Sequence, residues 1–216
     1  MNRIKVSALK WAPLQVQGFV RDFRVRWALG ELGIPYDEHL VGFSELGSPD
    51  YLRHHPFGMV PAYEEGGLKL FESGAILMHI AEKSEVLMPR DPAARARIQC
   101  WMFAALNSIE PLIMNVVEVD FFCAGEEWAK LRRPSAVEAA KDRLSDLSVW
   151  LVGRPYLEDR FSVADLLMAS VLRNHEELIV GMPVLEDYFK RCLDRPAFKK
   201  AVADQIATFV RNNPVK

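Results

Sequence analysis

The spacing of apolar and polar residues divides the chain into a mixed first part and a helical second part. Residues 4–9 and 36–41 are short runs with the length of β-strands. Between them, residues 20–32 have apolar side chains at helical spacing, which predicts a helix. Arg21 and Arg24 fall among its polar positions, so we expect both side chains to face water.

Residues 55–77 carry the strongest indication of function in the first part. Two short extended runs flank the turn residues Gly66 and Gly67, which predicts a β-hairpin that leads into a helix near Ser73. Glu72 and Ser73 then lie beside unpaired main-chain N–H groups, at the positive end of the helix dipole. Such a helix start favours a carboxylate or a phosphate.

The second part is dominated by helical spacing. Residues 84–92 are polar and rich in proline, which suits a linker between domains. Long helices are predicted over residues 93–117 and 136–151, and Pro111 should bend or interrupt the first of them.

Residues Phe161 to Asp165 predict the start of another helix. Ser162 and Asp165 have the spacing of a capping box, in which each side chain bonds the main chain at the position of the other. We therefore assign Asp165 a role in stability and not in catalysis.

Composition and charge narrow the class of protein. The 216 residues are half apolar and one quarter charged, and the net charge is −2, which disfavours a nucleic-acid partner. No apolar run approaches the roughly 20 residues that span a membrane, and no signal segment is visible. The three cysteines form no cluster with histidine, so we expect reduced thiols, no metal site and a cytoplasmic location.

Val60-Pro61, a turn, and then Leu-x-Leu-x-Glu-Ser-x-Ala-Ile strongly resemble the glutathione-binding half of the glutathione S-transferase superfamily. The resemblance extends over nearly the whole chain. It implies an α/β thioredoxin-like domain over residues 1–83, a linker over 84–92, and an all-α helical bundle domain over 93–216.

The resemblance also implies roles for four residues. Pro61 would follow a cis peptide bond, and the main chain of Val60 would pair with the cysteinyl part of glutathione. Glu72 and Ser73 would hold the amine and the carboxylate of the γ-glutamyl part. Taken singly, Pro61 could be an ordinary edge-strand proline and Ser73 a simple N-cap.

The group that would activate the glutathione thiol departs from the family pattern. Relatives usually have Tyr, Ser or Cys near the start of the first helix, whereas Phe19 stands there and residues 11–24 contain none of the three. We hypothesise that the N–H groups of the helix start and Arg21 stabilise the thiolate, with Trp11 shaping the site. Arg21 could instead be a solvated helix residue, and Ser7, the nearest hydroxyl, lies within a strand.

A second departure concerns the carboxylate of the glycine part of glutathione. Many relatives bind it with a lysine or histidine before the cis-proline, and Gly47 and Ser48 occupy the position of that lysine. His54 and His55 are the candidate replacements.

The resemblance places the electrophile pocket between the domains, along the first long helix of the second domain. By position, Trp101, Asn107 and Ser108 would line it, although apolar side chains at helical spacing also suit a core. The implied function is transfer of the glutathione thiolate to a hydrophobic electrophile by a homodimer. The alternatives are glutathione-dependent peroxidase, isomerase or dehalogenase chemistry, or a non-catalytic binding or scaffold protein.

Overall fold

A computed structural model describes residues 3–214 of the chain, and its N-terminal part contains a mixed four-stranded sheet with the order β2-β1-β3-β4. The strands are β1 Ile4–Leu9, β2 Tyr36–Val41, β3 Tyr63–Glu65 and β4 Leu68–Leu70. β1 and β2 are parallel, with Ile4 opposite Tyr36, while β3 runs antiparallel to both β1 and β4. The predicted thioredoxin-like α/β domain is confirmed.

The helices of this unit are α1 Asp22–Glu31, α2 Pro49–Leu52, α3 Ser73–Ala81 and α9 Pro196–Arg211. α1 packs against both α3 and α9, so its side chains from Asp22 to Leu29 are all buried. Arg24 is only 1% exposed, and the prediction that it faces water is wrong. The reason is that two neighbouring helices cover α1, which leaves it no wet face.

The last helix belongs to the N-terminal unit. The internal contacts of the chain define one unit that joins the residues up to Ser84 with those from Arg195 onward, and a second unit over Glu85–Asp194. The ring of Phe198 lies 4.9 Å from that of Trp27, and Arg195 binds the Glu31 carboxylate at 2.6 and 2.7 Å. The structure thus differs from the predicted helical domain over 93–216 at its C-terminal end.

The second unit is helical, with α7 at its centre. Its helices are α4 Pro92–Ala104, α5 Glu110–Val117, α6 Glu127–Trp150, α7 Val163–Leu172 and α8 Pro183–Leu193. All ten residues of α7 are buried, and α4, α5 and α8 pack against it. This burial accounts for a helix with so few polar positions.

Pro111 is accommodated by a wider turn. α4 and α5 are joined through the π-helical turn Ala105–Ile109, and Pro111 lies in the first turn of α5. In an α-helix the proline ring would clash with the carbonyl of Asn107, four residues earlier, and the wider turn relieves that contact. The predicted interruption is therefore a local change of helix type.

Among residues 3–214, one continuous helix, Pro92–Phe122, has the length and composition to cross a membrane. Ile98, Met102 and Ala105 on it are buried, and its α4 segment packs against α7. One side of this helix therefore contributes to the core of the second unit.

The predicted capping box at the start of α7 is confirmed. Ser162 Oγ accepts a bond from the N–H of Ala164, and Asp165 Oδ2 accepts bonds from the N–H and the Oγ–H of Ser162 at 2.9 Å each. Asp165 Oδ1 accepts from the N–H of Leu157 at 2.8 Å and from the Tyr188 hydroxyl at 3.2 Å. Burial raises the pKa of Asp165 to about 6. The Asp165 carboxylate thus accepts four hydrogen bonds from groups of the protein itself.

Candidate functional site

A buried hydrogen-bond network holds the loop that leads into β3. Ser7 Oγ accepts a bond from the N–H of Ala62 at 2.6 Å, and it lies 2.8 Å from the Tyr51 hydroxyl. That hydroxyl donates its single hydrogen to the carbonyl of Met59 at 2.7 Å, so Ser7 is the donor towards Tyr51. The hydroxyl of Ser7 is therefore committed to the loop, as its place within a strand suggests.

Val60 follows Met59, the residue that Tyr51 holds, and its own main-chain groups are unpaired within residues 3–214. The Val60–Pro61 peptide bond is cis, as the resemblance implies. Within the described residues, neither the N–H nor the C=O of Val60 has a hydrogen-bond partner. The side chain of Val60 packs on a buried cluster of Leu9, Ala12 and Phe209, and Trp11 packs on the same cluster. Trp11 and Val60 thus pack on the same buried cluster.

The start of α3 is also open. Glu72 has a φ of +67°, a conformation that is uncommon for a residue with a side chain, and its side chain does not cap the helix. Across residues 3–214 the Glu72 carboxylate has no hydrogen bond or ion pair, and it is exposed. Ser73 is nearly buried beside it, and its Oγ accepts a bond from Arg24 Nη1 at 3.3 Å.

Val60 and the start of α3 lie on the same side of the hairpin. Tyr63 pairs with Leu70 across β3 and β4. Val60 precedes Tyr63 by three residues and Ser73 follows Leu70 by three, so both segments leave the sheet at the same end. An extended ligand at this end can therefore meet both segments.

Arg24 is the residue of this site that sequence reasoning missed. A signal was present in the sequence, because Arg24 and Arg26 alternate with Phe23, Val25 and Trp27. A helix with 3.6 residues per turn cannot place such an alternating run on one wet face and one dry face. Some charged side chains of α1 had to be buried and paired.

The start of α1 presents Arg21 at the surface. Arg21 is the N-cap residue and is exposed, while Asp22 is fully buried after it. Asp22 accepts bonds from Gln205 Nε2 at 2.5 Å and from Arg26 Nε at 2.6 Å. Burial raises the pKa of Asp22 to about 6, against the opposing effect of Arg26. Asp22 is therefore a structural group, and Arg21 is an exposed cation at the helix start.

The two histidines before Pro56 have different environments. His55 is buried, its Nδ1 accepts a bond from the N–H of Phe57 at 3.3 Å, and its ring packs on Phe71. Burial lowers the pKa of His55. His54 is only partly buried, with Nδ1 3.8 Å from the Glu64 carboxylate. Of the two candidates, His54 can reach a ligand from the surface.

The predicted electrophile residues separate into two places. A cavity of about 560 Å³ in the second unit is lined by Ala96, Gln99, Cys100, Phe103, Ala104, Asn107 and Ser108. Trp101 lies elsewhere, because its indole N–H donates to Glu158 Oε1 at 3.2 Å and its ring lies 5.1 Å from that of Trp150. Asn107 and Ser108 share one cavity, and Trp101 belongs to a different cluster.

A larger groove of about 950 Å³ in the first unit contains none of the predicted site residues. It lies beside Tyr36, at the opposite end of β1 from the Val60 loop. Its charged groups include the ion pairs Arg26 with Glu38 and Lys200 with Asp204. Among residues 3–214, no group of three or more His, Cys, Asp or Glu side chains is placed to hold a metal ion.

Comparison with known proteins decides the family. A family profile described as "Glutathione S-transferase, N-terminal domain" matches residues 14–82, the segment that holds the open Val60 loop and the start of α3. Glutathione S-transferase 1 of Zea mays is 27% identical over 215 residues, which covers 89% of this chain and 97% of the relative. The chain belongs to the glutathione S-transferase superfamily.

Two other members of the superfamily bear on function. A glutathione transferase from Pseudomonas putida, solved with glutathione disulfide bound, is 27% identical with a TM-score of 0.79, covering 93% of this chain and 91% of that one. The transcriptional regulator URE2 of Saccharomyces cerevisiae is 25% identical over 231 residues, covering 83% of this chain and 64% of the relative. The superfamily that contains this chain thus includes enzymes and a regulator.

Proposed function

We propose that this superfamily member binds glutathione and transfers its thiolate to a hydrophobic electrophile. The observation that carries the proposal is the end of the hairpin where the main chain of Val60, the carboxylate of Glu72 and the first turn of α3 are all open. The buried polar networks at Ser7 and Asp165, by contrast, have their hydrogen bonds within the protein.

The open groups match the parts of glutathione in order. The N–H and C=O of Val60 pair with the main chain of the cysteinyl residue. The Glu72 carboxylate binds the γ-glutamyl amine, and Ser73 with the N–H groups of α3 binds the γ-glutamyl carboxylate. The partly buried His54 is the candidate for the glycine carboxylate.

Activation of the thiol rests on the start of α1. Lowering a thiol pKa of about 8.5 by two units requires about 2.7 kcal/mol of preferential stabilisation of the thiolate. The dipole of α1 and the exposed guanidinium of Arg21 supply positive potential there, although the N–H groups of Phe23 and Arg24 are bonded to main-chain carbonyls of the preceding turn. Trp11 packs on the same buried cluster as Val20, which precedes the helix. Water accepts the thiol proton, so no protein side chain is needed as a general base.

The test is a calorimetric titration with glutathione, followed by ultraviolet detection of thiolate in the bound complex across pH. We expect binding, with thiolate visible below pH 7, and Arg21→Ala should raise the pH at which the thiolate forms. Arg53→Ala, which removes an exposed arginine paired with Asp50, is the matched control. An unchanged thiol titration in Arg21→Ala would refute the role of Arg21. Failure of the wild-type protein to bind glutathione would refute the proposed function.

The electrophile site of the proposal includes the cavity at Asn107 and Ser108. Phe103 and the alanines of its wall suit an apolar substrate, and the two polar groups can orient it. Ser108→Leu should raise the KM for the electrophile and leave the dissociation constant of glutathione unchanged. Trp101, which binds Glu158, serves as the comparison position.

A second candidate function is reduction of a glutathione-containing disulfide. It is favoured by the Pseudomonas putida protein, which was solved with glutathione disulfide bound. In this reaction the bound glutathione thiolate attacks one sulfur of a disulfide, forms a new disulfide and releases the other half as a thiolate. Parallel assays with an aryl halide and with a small disulfide separate the two reactions.

A non-catalytic role is the third alternative, and the similarity to URE2 supports it. The absence of Tyr, Ser, Thr and Cys from residues 11–24 is consistent with such a role. Binding of glutathione without formation of thiolate would favour it over both enzymatic candidates.

We also propose that the protein is a cytoplasmic homodimer. The ring of Phe57 is 66% exposed and stands edge-on to Phe71 at 6.1 Å, which forms an apolar projection of the kind that is buried in interfaces. Phe57→Ser should shift the sedimentation coefficient towards that of the monomer. Wild-type protein that sediments as a monomer would refute the dimer, and cell fractionation tests the location.

A further inference from the structure

We infer that Arg24 is a positioning residue that directs the hydroxyl hydrogen of Ser73 outward, towards the γ-glutamyl carboxylate of glutathione. The inference rests on the proposed function, because it concerns the same site. It assigns to a buried residue of α1 part of the selectivity for the γ-glutamyl group.

The direction of the hydrogen follows from the chemistry of the two groups. Arg24 Nη1 lies 3.3 Å from Ser73 Oγ, and a guanidinium has only donors. Ser73 Oγ must therefore be the acceptor, which leaves its single hydrogen for another partner. Without Arg24, that hydrogen could turn inward.

Burial fixes this arrangement. Arg24 is 1% exposed and Ser73 is 6% exposed, and the helices that carry them pack together. The planar guanidinium has few alternative positions in such packing, so the hydroxyl is oriented before a ligand arrives.

The buried charge acts in the same direction as the helix. The guanidinium stays protonated at every accessible pH, and it lies directly beneath the first residue of α3. Its positive potential adds to that of the open N–H groups of α3, and both favour a carboxylate. The exposed Glu72 carboxylate next to it is placed for the amine of the same γ-glutamyl group.

A purely structural role is the competing explanation, in which Arg24 only fastens α1 to α3. The two explanations differ in ligand selectivity. A fastening residue would affect all ligands of the site alike, whereas a positioning residue would affect only ligands that carry the γ-glutamyl carboxylate.

The experiment compares glutathione with γ-aminobutyryl-cysteinyl-glycine, which keeps the amine and lacks only that carboxylate. Dissociation constants of both are measured by calorimetry for wild type, Arg24→Met, Arg24→Lys and Ser73→Ala. Arg26→Lys is the matched control, because Arg26 is a buried arginine of the same helix that pairs with Asp22 and Glu38 and not with Ser73.

For Arg24→Met we expect glutathione to bind at least ten times more weakly, and the analogue to change by less than twofold. Ser73→Ala should show the same selectivity loss, and the double variant should lose little more than either single one. Arg26→Lys should leave the ratio of the two dissociation constants at its wild-type value.

The inference would be overturned if Arg24→Met changed the dissociation constants of both ligands by the same factor, which leaves their ratio unchanged. If Arg24→Met does not fold, Arg24→Lys decides the question, because lysine keeps the charge but not the reach and geometry of the guanidinium; a wild-type ratio in that variant refutes the role. Failure of the wild type to bind glutathione would instead refute the proposed function, so the two failures are distinguishable.

Discussion

The helices α3 and α7 both begin with a serine and an acidic residue, and the structure uses these residues in opposite ways. At α7, Ser162 and Asp165 bond each other and three further groups in the core. At α3, the Glu72 carboxylate is exposed and does not cap the helix.

The difference separates a structural helix start from a binding one. A buried helix start must satisfy its N–H groups internally, since an unpaired buried donor costs about 1–3 kcal/mol. A helix start at the surface can leave them to water and exchange the water for an anion. The same residue types therefore predict stability in one place and ligand binding in the other.

α3 is held at its opposite end. Glu65 Oε2 accepts bonds from Lys83 Nζ at 2.6 Å, from Tyr63 at 2.8 Å and from His79 Nε2 at 3.0 Å. His79 lies in the last turn of α3 and Lys83 just beyond it. This anchor keeps the helix in place while its N-terminus remains open.

The largest effect on stability is expected at the start of α7, where the polar groups are bonded inside the protein. Asp165→Ala should lower the free energy of unfolding by about 3–5 kcal/mol, because it leaves several buried donors without an acceptor. Urea denaturation measures the loss. Ser162→Ala, which removes one cap, should cost about 1 kcal/mol. If Asp165→Ala lowers the free energy of unfolding by less than 1 kcal/mol, the hydrogen bonds at the start of α7 do not organise the second unit.

At the start of α3, the main expected loss is in affinity for glutathione. Ser73→Ala and Glu72→Gln should each weaken glutathione binding roughly 10- to 100-fold, the value of one hydrogen bond to a charged group. The unfolding midpoint of Glu72→Gln should change little, because the Glu72 carboxylate is exposed and has no hydrogen bond or ion pair within residues 3–214. Thermal unfolding without ligand is the control, and a large destabilisation by Glu72→Gln would contradict the comparison.

The anchor at Glu65 should be sensitive to acid. Its hydrogen bonds to His79 and Lys83 lower the pKa of Glu65 from 4.5 to about 2. Between these values the folded protein binds fewer protons than the unfolded chain, so the stabilisation is complete above about pH 4.5 and is lost as the pH falls towards 2.

Glu65→Gln tests this effect. The variant should be about 1–2 kcal/mol less stable than wild type at pH 7, and the difference should shrink as the pH falls below 4.5. Urea denaturation at a series of pH values measures it. A difference that stays constant from pH 7 to pH 3 would show that the carboxylate charge contributes nothing.

The smallest effect concerns the backbone of Glu72. Its φ of +67° is easier for glycine than for alanine, so Glu72→Gly should be about 1 kcal/mol more stable than Glu72→Ala. Ala75→Gly, on the exposed side of the same helix, should instead lose about 1 kcal/mol. Equal stabilities of the two Glu72 variants would show that this position carries no strain.

The sequence alone determined the features that depend on residues close together in the chain. The capping box of α7, the hairpin turn and the interruption near Pro111 are local, because their hydrogen bonds and steric contacts join residues a few positions apart. The Val60-Pro61 and Glu72-Ser73 motifs likewise sufficed to predict the family, which the comparisons confirm.

Only the tertiary structure decided which polar groups are buried and what they contact. Arg24 reaches Ser73 across 49 positions of sequence, and Gln205 on α9 reaches Asp22 across 183. Periodicity describes one helix against an unspecified surface, so it could not show that α1 is covered on two sides or that α9 joins the N-terminal unit. Burial depends on which segments meet, and that is a property of the folded chain as a whole.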